Sequence, residues 1–316
     1  MDAQKPFDEP QRVVSPASPL TKVFFGDHGL RSGWRLLIYI LIVVGTSAVL
    51  NLIASQVRQG TPRGTLTVKD GIIGEVIGFA IAFGAAAMMA RIERRSVWDY
   101  GLPWKEAFGG KFWLGFLFGL AEVSLLVGLI AAFGGYSFGN LALSGSAIVR
   151  WGAVHILLFV LVGFFEEFLF RGYTQFTLAD GIGFWPAAIL LSVLFGAGHL
   201  GNPGEGLIGA ASVVLVGLFF CFTLKRTGSL WYAVGLHASF DWGESYLYSV
   251  PNSGTFLEGH LSNALLHGPR WLTGGSVGPE GSVFCFLTMA LQFLVVAWLF
   301  PAKKVEPLAS AVAAQN

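Results

Sequence analysis

The sequence predicts an all-α protein, a polytopic transmembrane helix bundle of about eight spans with both termini cytoplasmic. Three observations carry this expectation. Hydrophobic residues make up 54% of the 316-residue chain and charged ones only 12%, about half the charged share of a soluble domain. Mean hydropathy is +0.64, and apolar runs near the ~20 residues that cross a hydrocarbon core recur along the chain. The basic residues, finally, alternate sides in step with those runs.

Residues 1–33 are polar, hold Pro10, Pro16 and Pro19, and read as a flexible cytoplasmic tail. The first apolar run begins at Trp34, too far into the chain for an ordinary signal peptide, and reads as a retained anchor. The runs are 34–54, 71–90, 112–134, 148–170, 184–200, 206–224, 229–248 and 282–300. Seven spans is the alternative count, because only the short linker "GNPGEG" separates the fifth run from the sixth. Residues 34–300 thus form one transmembrane bundle, and 301–316 a second cytoplasmic tail.

Fifteen of the 20 Lys and Arg fall on the side assigned to the cytoplasm: five up to Arg35, five in 91–111, Arg171, two at 225–226 and two at 303–304. Arg58, Arg63, Lys69, Arg150 and Arg270 fall on the other side, which satisfies the positive-inside rule. The outer segment 249–281, rich in Gly and Pro and holding His260 and His267, reads as a solvated loop. A net charge of +1 gives no reason to expect a nucleic-acid partner. Cys221 and Cys285 lie inside apolar runs, where a disulfide framework is not expected. Gly74/Gly78 and Gly115/Gly119 permit close helix contact, but with 42 glycines in the chain such pairs say little. No repeat suggests a transporter built from duplicated halves.

Charge inside the spans is the informative feature. An ionised residue at mid-span costs ~2.5–3.5 kcal/mol on insertion scales, yet the fourth run reads "FFEEFLFR" at 164–171. Glu167 and Arg171 are four apart and share a helix face, as an ion pair requires. Glu166 points about 100° away and is free to face something else. The fifth run ends "FGAGH", with Phe195 and His199 four apart, and the seventh holds "HASFD", with His237 and Asp241 four apart. An i, i+4 His/Asp pair suits metal ligation and equally suits an acid orienting an imidazole.

If the fourth helix continues past Arg171 to about Leu178, Glu166 lies ~18 Å from its cytoplasmic end at ~1.5 Å per residue. On the same ruler His199 lies ~21 Å from Trp185, and His237 and Asp241 lie ~12 and ~18 Å from Ser229. Three helices then deliver these groups to a similar depth, in a core at about 148–248. Glu75, Glu122 and His155 stand alone and read as interhelical contacts or interface residues; Glu244, one turn past Asp241, is expected at the same cavity but outside the reaction.

These segments resemble the CAAX-protease and bacteriocin-processing family of intramembrane endopeptidases, which includes the type II CAAX prenyl proteases. The family pattern is Glu-Glu-x-x-x-Arg, then Phe-x-x-x-His, then His-x-x-x-Asn or Asp. It is met in order by "EEFLFR" (166–171), "FGAGH" (195–199) and "HASFD" (237–241). The resemblance implies that Glu166 and His199 activate water, that Glu167 and Arg171 brace the site, and that His237 and residue 241 stabilise the oxyanion.

Position 241 complicates the last role, because an ionised aspartate offers no N–H and would repel an oxyanion. Asp241 is then protonated, orients His237, or binds metal. Zinc held by His199, His237 and a carboxylate such as Asp241 is the metal alternative, although no His-Glu-x-x-His segment is present. The expected function is hydrolysis of a peptide bond in a membrane-associated peptide or protein, with the lipid bilayer as the other partner. The alternative is a non-catalytic scaffold, immunity protein or small transporter using the same polar cavity. Chain length and the plain N-terminal tail suggest a bacterial plasma membrane. A substrate-accessible site is expected to open toward the cytoplasm or laterally between helices.

Overall fold

A computed structural model describes residues 23–26, 29–57, 67–202 and 204–302. Most of the expected 1–33 tail and nearly all of the 301–316 tail lie outside the described residues. The described chain is mostly helical: α1 (Ser32–Val57), α2 (Val68–Ile92), α3 (Gly110–Ala132), α4 (Ser146–Arg171), α5 (Tyr173–Ile182), α6 (Phe184–His199), α7 (Leu207–Thr227), α8 (Trp231–Trp242) and α9 (Val283–Leu299). Five helical stretches, Ser32–Ser55, Val68–Ile92, Gly110–Ala132, Ser146–Ile182 and Leu207–Thr227, are long and apolar enough to cross a membrane. Two of the expected spans, 184–200 and 282–300, appear as the shorter apolar helices α6 and α9. The run 229–248 becomes the 12-residue α8, prolonged by a π-helical turn at Gly243–Leu247.

The fourth helix does not continue to Leu178. It stops at Arg171, because Gly172 takes φ −82°, ψ −122° and the chain restarts as α5. A Cβ at Gly172 would collide with the Phe168 carbonyl, so only glycine permits this break. Arg171 therefore ends a helix, and the straight-helix depth ruler fails beyond it.

The centre of the bundle is α8, held between α3 and α4. Trp231, Tyr232, Ala233, Val234, Ala238 and Ser239 are all buried. Glycines make this possible: a Cβ on Gly115 would strike Tyr232 O, one on Gly119 would strike Leu236 O, and one on Gly235 would strike Phe112 O. On the α4 side, a Cβ on Gly163 would lie 3.1 Å from Val234 O. These backbones approach as closely as small residues allow. The 115/119 pair is thus structurally specific after all, and Gly235 is its partner.

At the end of the bundle richest in basic residues, Glu93 collects Arg35 Nη1 (2.8 Å), Tyr100 OH (2.9 Å) and Tyr173 OH. Arg35 Nη2 continues to Asp180 at 3.0 Å, tying α1, α2 and α5 together. At the opposite end, 249–281 is not a solvated loop. Ser249, Val250, Ser262, Leu272 and Val277 are buried. Gly254 N donates to Val277 O (2.8 Å), Ser262 N to Ser249 Oγ (2.9 Å) and Ser282 Oγ to Leu272 O (2.6 Å). Leu265–Leu266 pairs antiparallel with Tyr136–Ser137. The segment bonds its backbone both to itself and to neighbouring chain, Asn263 N to Asn140 O and His267 N to Gly135 O at 2.8 Å each, as chain packed onto a bundle must.

The seam gives a direct test. Gly119→Val should lower unfolding free energy in detergent by about 1–3 kcal/mol through overpacking. Gly74→Val, whose Cβ meets nothing within 4 Å, should leave the thermal midpoint nearly unchanged.

Candidate active site

Glu167 is where two helices are joined chemically. Its Oε1 accepts from Arg171 Nη1 at 3.3 Å and faces His237 Nδ1 at 3.1 Å, and neither Glu167 nor Arg171 has exposed side-chain surface. The expected i, i+4 pair is therefore present and wholly buried. Arg171 lies 4.3 Å from the Phe195 ring centroid and 5.6 Å from that of Phe220, so aromatic faces take over part of its lost hydration. Its space comes from Gly217 on α7, where a Cβ would approach Nη2 to 2.7 Å.

Glu166 does the opposite. Its side chain is 26% exposed and lies on a cavity of about 390 Å³, with Oε2 3.7 Å from His237 Nε2. Asp241 Oδ2 lies 3.4 Å from the same nitrogen. His237 thus has Glu167 on one ring nitrogen, Asp241 and Glu166 on the other, and stacks on Phe220 at 5.3 Å. His199 lines the same cavity. Its Nδ1 is 2.9 Å from Phe195 O; a carbonyl can only accept, so Nδ1 donates to it, and in the neutral ring Nε2 keeps its lone pair. All six residues expected at the site fall in one region: five in a bonded or ion-paired network and His199 on the same cavity.

The structure adds members that the motifs do not contain. The capping box of Thr67 and Asp70 fixes the start of α2, which sets Gly71, Gly74 and Glu75 into the cavity wall. Glu75 interacts electrostatically with Glu166, His237 and Asp241, and its Oε2 has no hydrogen-bond partner. It is more than an interhelical contact. Glu122 of α3 also lines the cavity, as do Asn252, Ser253 and Glu280 from 249–281. No partner spacing marks Glu75, Glu122 or Glu280 in the sequence; an isolated charge in an apolar run is the one available signal for the first two, and Glu280, in the Gly- and Pro-rich segment, carries none. Glu244 sits behind the lining, its Oε2 accepting from Asn252 Nδ2 at 3.2 Å. His155 remains a packing residue, Nδ1 on Trp151 O at 3.0 Å.

The lining residues nearest helix ends, Thr67, Asp70, Asn202 and Asn252, lie at the end opposite the Arg35–Glu93 network. The cavity therefore reaches toward the end that the charge bias assigns to the outer side; of the two expected openings, cytoplasmic or lateral between helices, this direction disagrees with the cytoplasmic one. Among the described residues no group of three or more His, Cys, Asp or Glu is arranged to hold a metal ion. His199, His237 and Asp241 do not form one ligand set, so the zinc alternative does not fit this geometry.

Burial pushes the Glu280 carboxyl up from 4.5 to about 8, with Asp241 adding to the shift and the bond from Ser253 N opposing it. Glu244 and Glu205 are the other acids in its field. Between those two values the folded protein keeps a proton that the unfolded chain has released, so stability falls as pH rises through the window. Glu280→Gln removes the titration. The thermal midpoint of the variant should fall less than that of the wild type between pH 6 and pH 9.

No curated protein and no solved structure matches the chain. Residues 148–243, which carry all three motifs, match the family model described as Type II CAAX prenyl endopeptidase, Rce1-like.

Proposed function

We propose that this protein is an intramembrane endopeptidase that hydrolyses a peptide bond of a membrane-associated peptide or protein. One observation carries the reading. Of two adjacent carboxylates, Glu167 is fully buried and committed to Arg171 and His237, while Glu166 faces the cavity. The first is a brace and the second a base.

In this mechanism a water sits between Glu166 and His199 Nε2. Glu166 takes a proton as the water oxygen attacks the scissile carbonyl carbon. Negative charge gathers on the former carbonyl oxygen, and His237 Nε2–H is donated to it. Carboxylates on both sides of the imidazole favour its protonated form, and the dry surroundings strengthen that contact. Glu166 then returns its proton to the leaving amine as the C–N bond breaks. Asp241 acts by orienting His237, a role that its 3.4 Å approach to Nε2 supports. No step uses a metal.

Glu166→Gln is nearly isosteric and cannot accept the proton, so kcat on a fluorogenic peptide should fall at least ~100-fold with the fold intact by thermal melt. Wild-type turnover in that variant would remove Glu166 as the base. Glu167→Gln should instead cost about 3 kcal/mol of stability, because it leaves a buried guanidinium without its carboxylate.

Asp241→Asn retains an oxygen for His237 and adds an N–H near the oxyanion. Activity should persist or rise, and chelators should leave both proteins unaffected. Loss of activity together with one stoichiometric zinc would reverse this assignment.

A further inference from the structure

The proposed reaction leaves one wall of the cavity unused. Glu122 of α3 lines it and is 3% exposed, and neither of its carboxylate oxygens has a hydrogen-bond partner. The side chains beside it are Thr288 and Gln292; Thr288 spends its one hydroxyl proton elsewhere and Gln292 one of its two amide protons. Thr288 Oγ1 donates to Cys285 O at 3.1 Å and Gln292 Nε2 to Phe118 O at 3.0 Å. Gln292 Oε1 is itself buried with no donor, and the nearby Tyr232 hydroxyl makes no bond to Glu122. Buried acceptors of this kind normally have partners. Here a cluster of them waits beside a cavity for a donor.

The rest of the lining says what kind of donor. Among the described residues, Asp70, Glu75, Glu122, Glu166, Asp241 and Glu280 line the cavity, whereas no Lys or Arg does. Arg171, paired with Glu167, has no exposed side-chain surface and does not reach it. A cavity walled by acids draws cations and rejects anions. The same cavity also carries apolar lining: Phe219, Leu236, Phe240 and Met289. A long alkyl stem with a charged tip fits such a surface, the stem on the apolar wall and the tip on the carboxylate.

We propose that the Glu122 wall is a substrate subsite for a cationic side chain, with lysine the best fit because its three donors match Glu122 Oε1, Glu122 Oε2 and Gln292 Oε1. The inference builds on the endopeptidase reading by naming a side chain that the substrate carries near its scissile bond.

The test measures binding separately from cleavage. A set of fluorescently labelled peptides carries one lysine scanned through successive positions, each with a norleucine counterpart. Anisotropy titrations use the full-length detergent-solubilised wild type and Glu122→Gln. At one position lysine should bind ~10-fold tighter than norleucine to the wild type, and Glu122→Gln should lose that preference while its norleucine affinity is unchanged. Equal affinity at every position, or a lysine preference that survives in the variant, overturns the subsite. If Glu122→Gln does not fold, acetyl-lysine replaces lysine at the preferred position on the wild type. The same ~10-fold loss is expected there, and unchanged affinity overturns the proposal. A wild type that selects lysine but cleaves none of the peptides would refute the endopeptidase reading and leave the subsite standing.

Discussion

A guanidinium with no exposed surface dictates much of this architecture. Arg171 cannot lose its charge, and burying an unpaired cation would outweigh most of what a small bundle gains on folding. Glu167 supplies the counter-charge one turn earlier, Phe195 and Phe220 supply polarisable faces, and Gly217 supplies room. Because Glu167 is held there, its Oε1 also faces His237 Nδ1. That contact sets which nitrogen of the imidazole faces the cavity. Glu166, the neighbour of Glu167, then turns about 100° around the helix toward the same space.

Much of the site was legible because its chemistry is written at helical spacing. Glu167/Arg171, Phe195/His199 and His237/Asp241 each repeat at i, i+4, and each pair falls on one face as the period demands. The path by which they meet was not legible. A ruler laid along a straight fourth helix ignores the break at Gly172, which depends on a local collision with Phe168 and on no composition signal. Convergence holds because α8 packs against both α3 and α4, with glycine on the two facing backbones at the α3 seam. In a chain with so many glycines, sequence alone cannot say which ones are needed.

The segment 249–281 shows the opposite failure. Gly and Pro with scattered polar residues look like solvated chain, yet backbone bonds such as Gly254 N to Val277 O fold it over the bundle. Its buried residues are few and irregularly spaced, so no period betrays them. Glu75 and Glu122 escaped for another reason. A single carboxylate in an apolar run has the same appearance whether it clamps two helices or faces a cavity, and only the position of neighbouring helices separates the two.

The walls of the cavity have a different origin from its reactive centre. Glu166, His199, His237 and Asp241 come from α4, α6 and α8, whereas Gly74 and Glu75 come from α2, Glu122 from α3, Met289 from α9, and Asn252 and Glu280 from the covering segment. In the proposed reading, chemistry and selection are carried by separate stretches of chain. Drift in α2, α3 or the covering segment would then retarget the protein without touching the Glu167–Arg171–His237 contacts. Grafting α4, α6 and α8 alone into another bundle would transfer the proposed reactive centre without its discrimination.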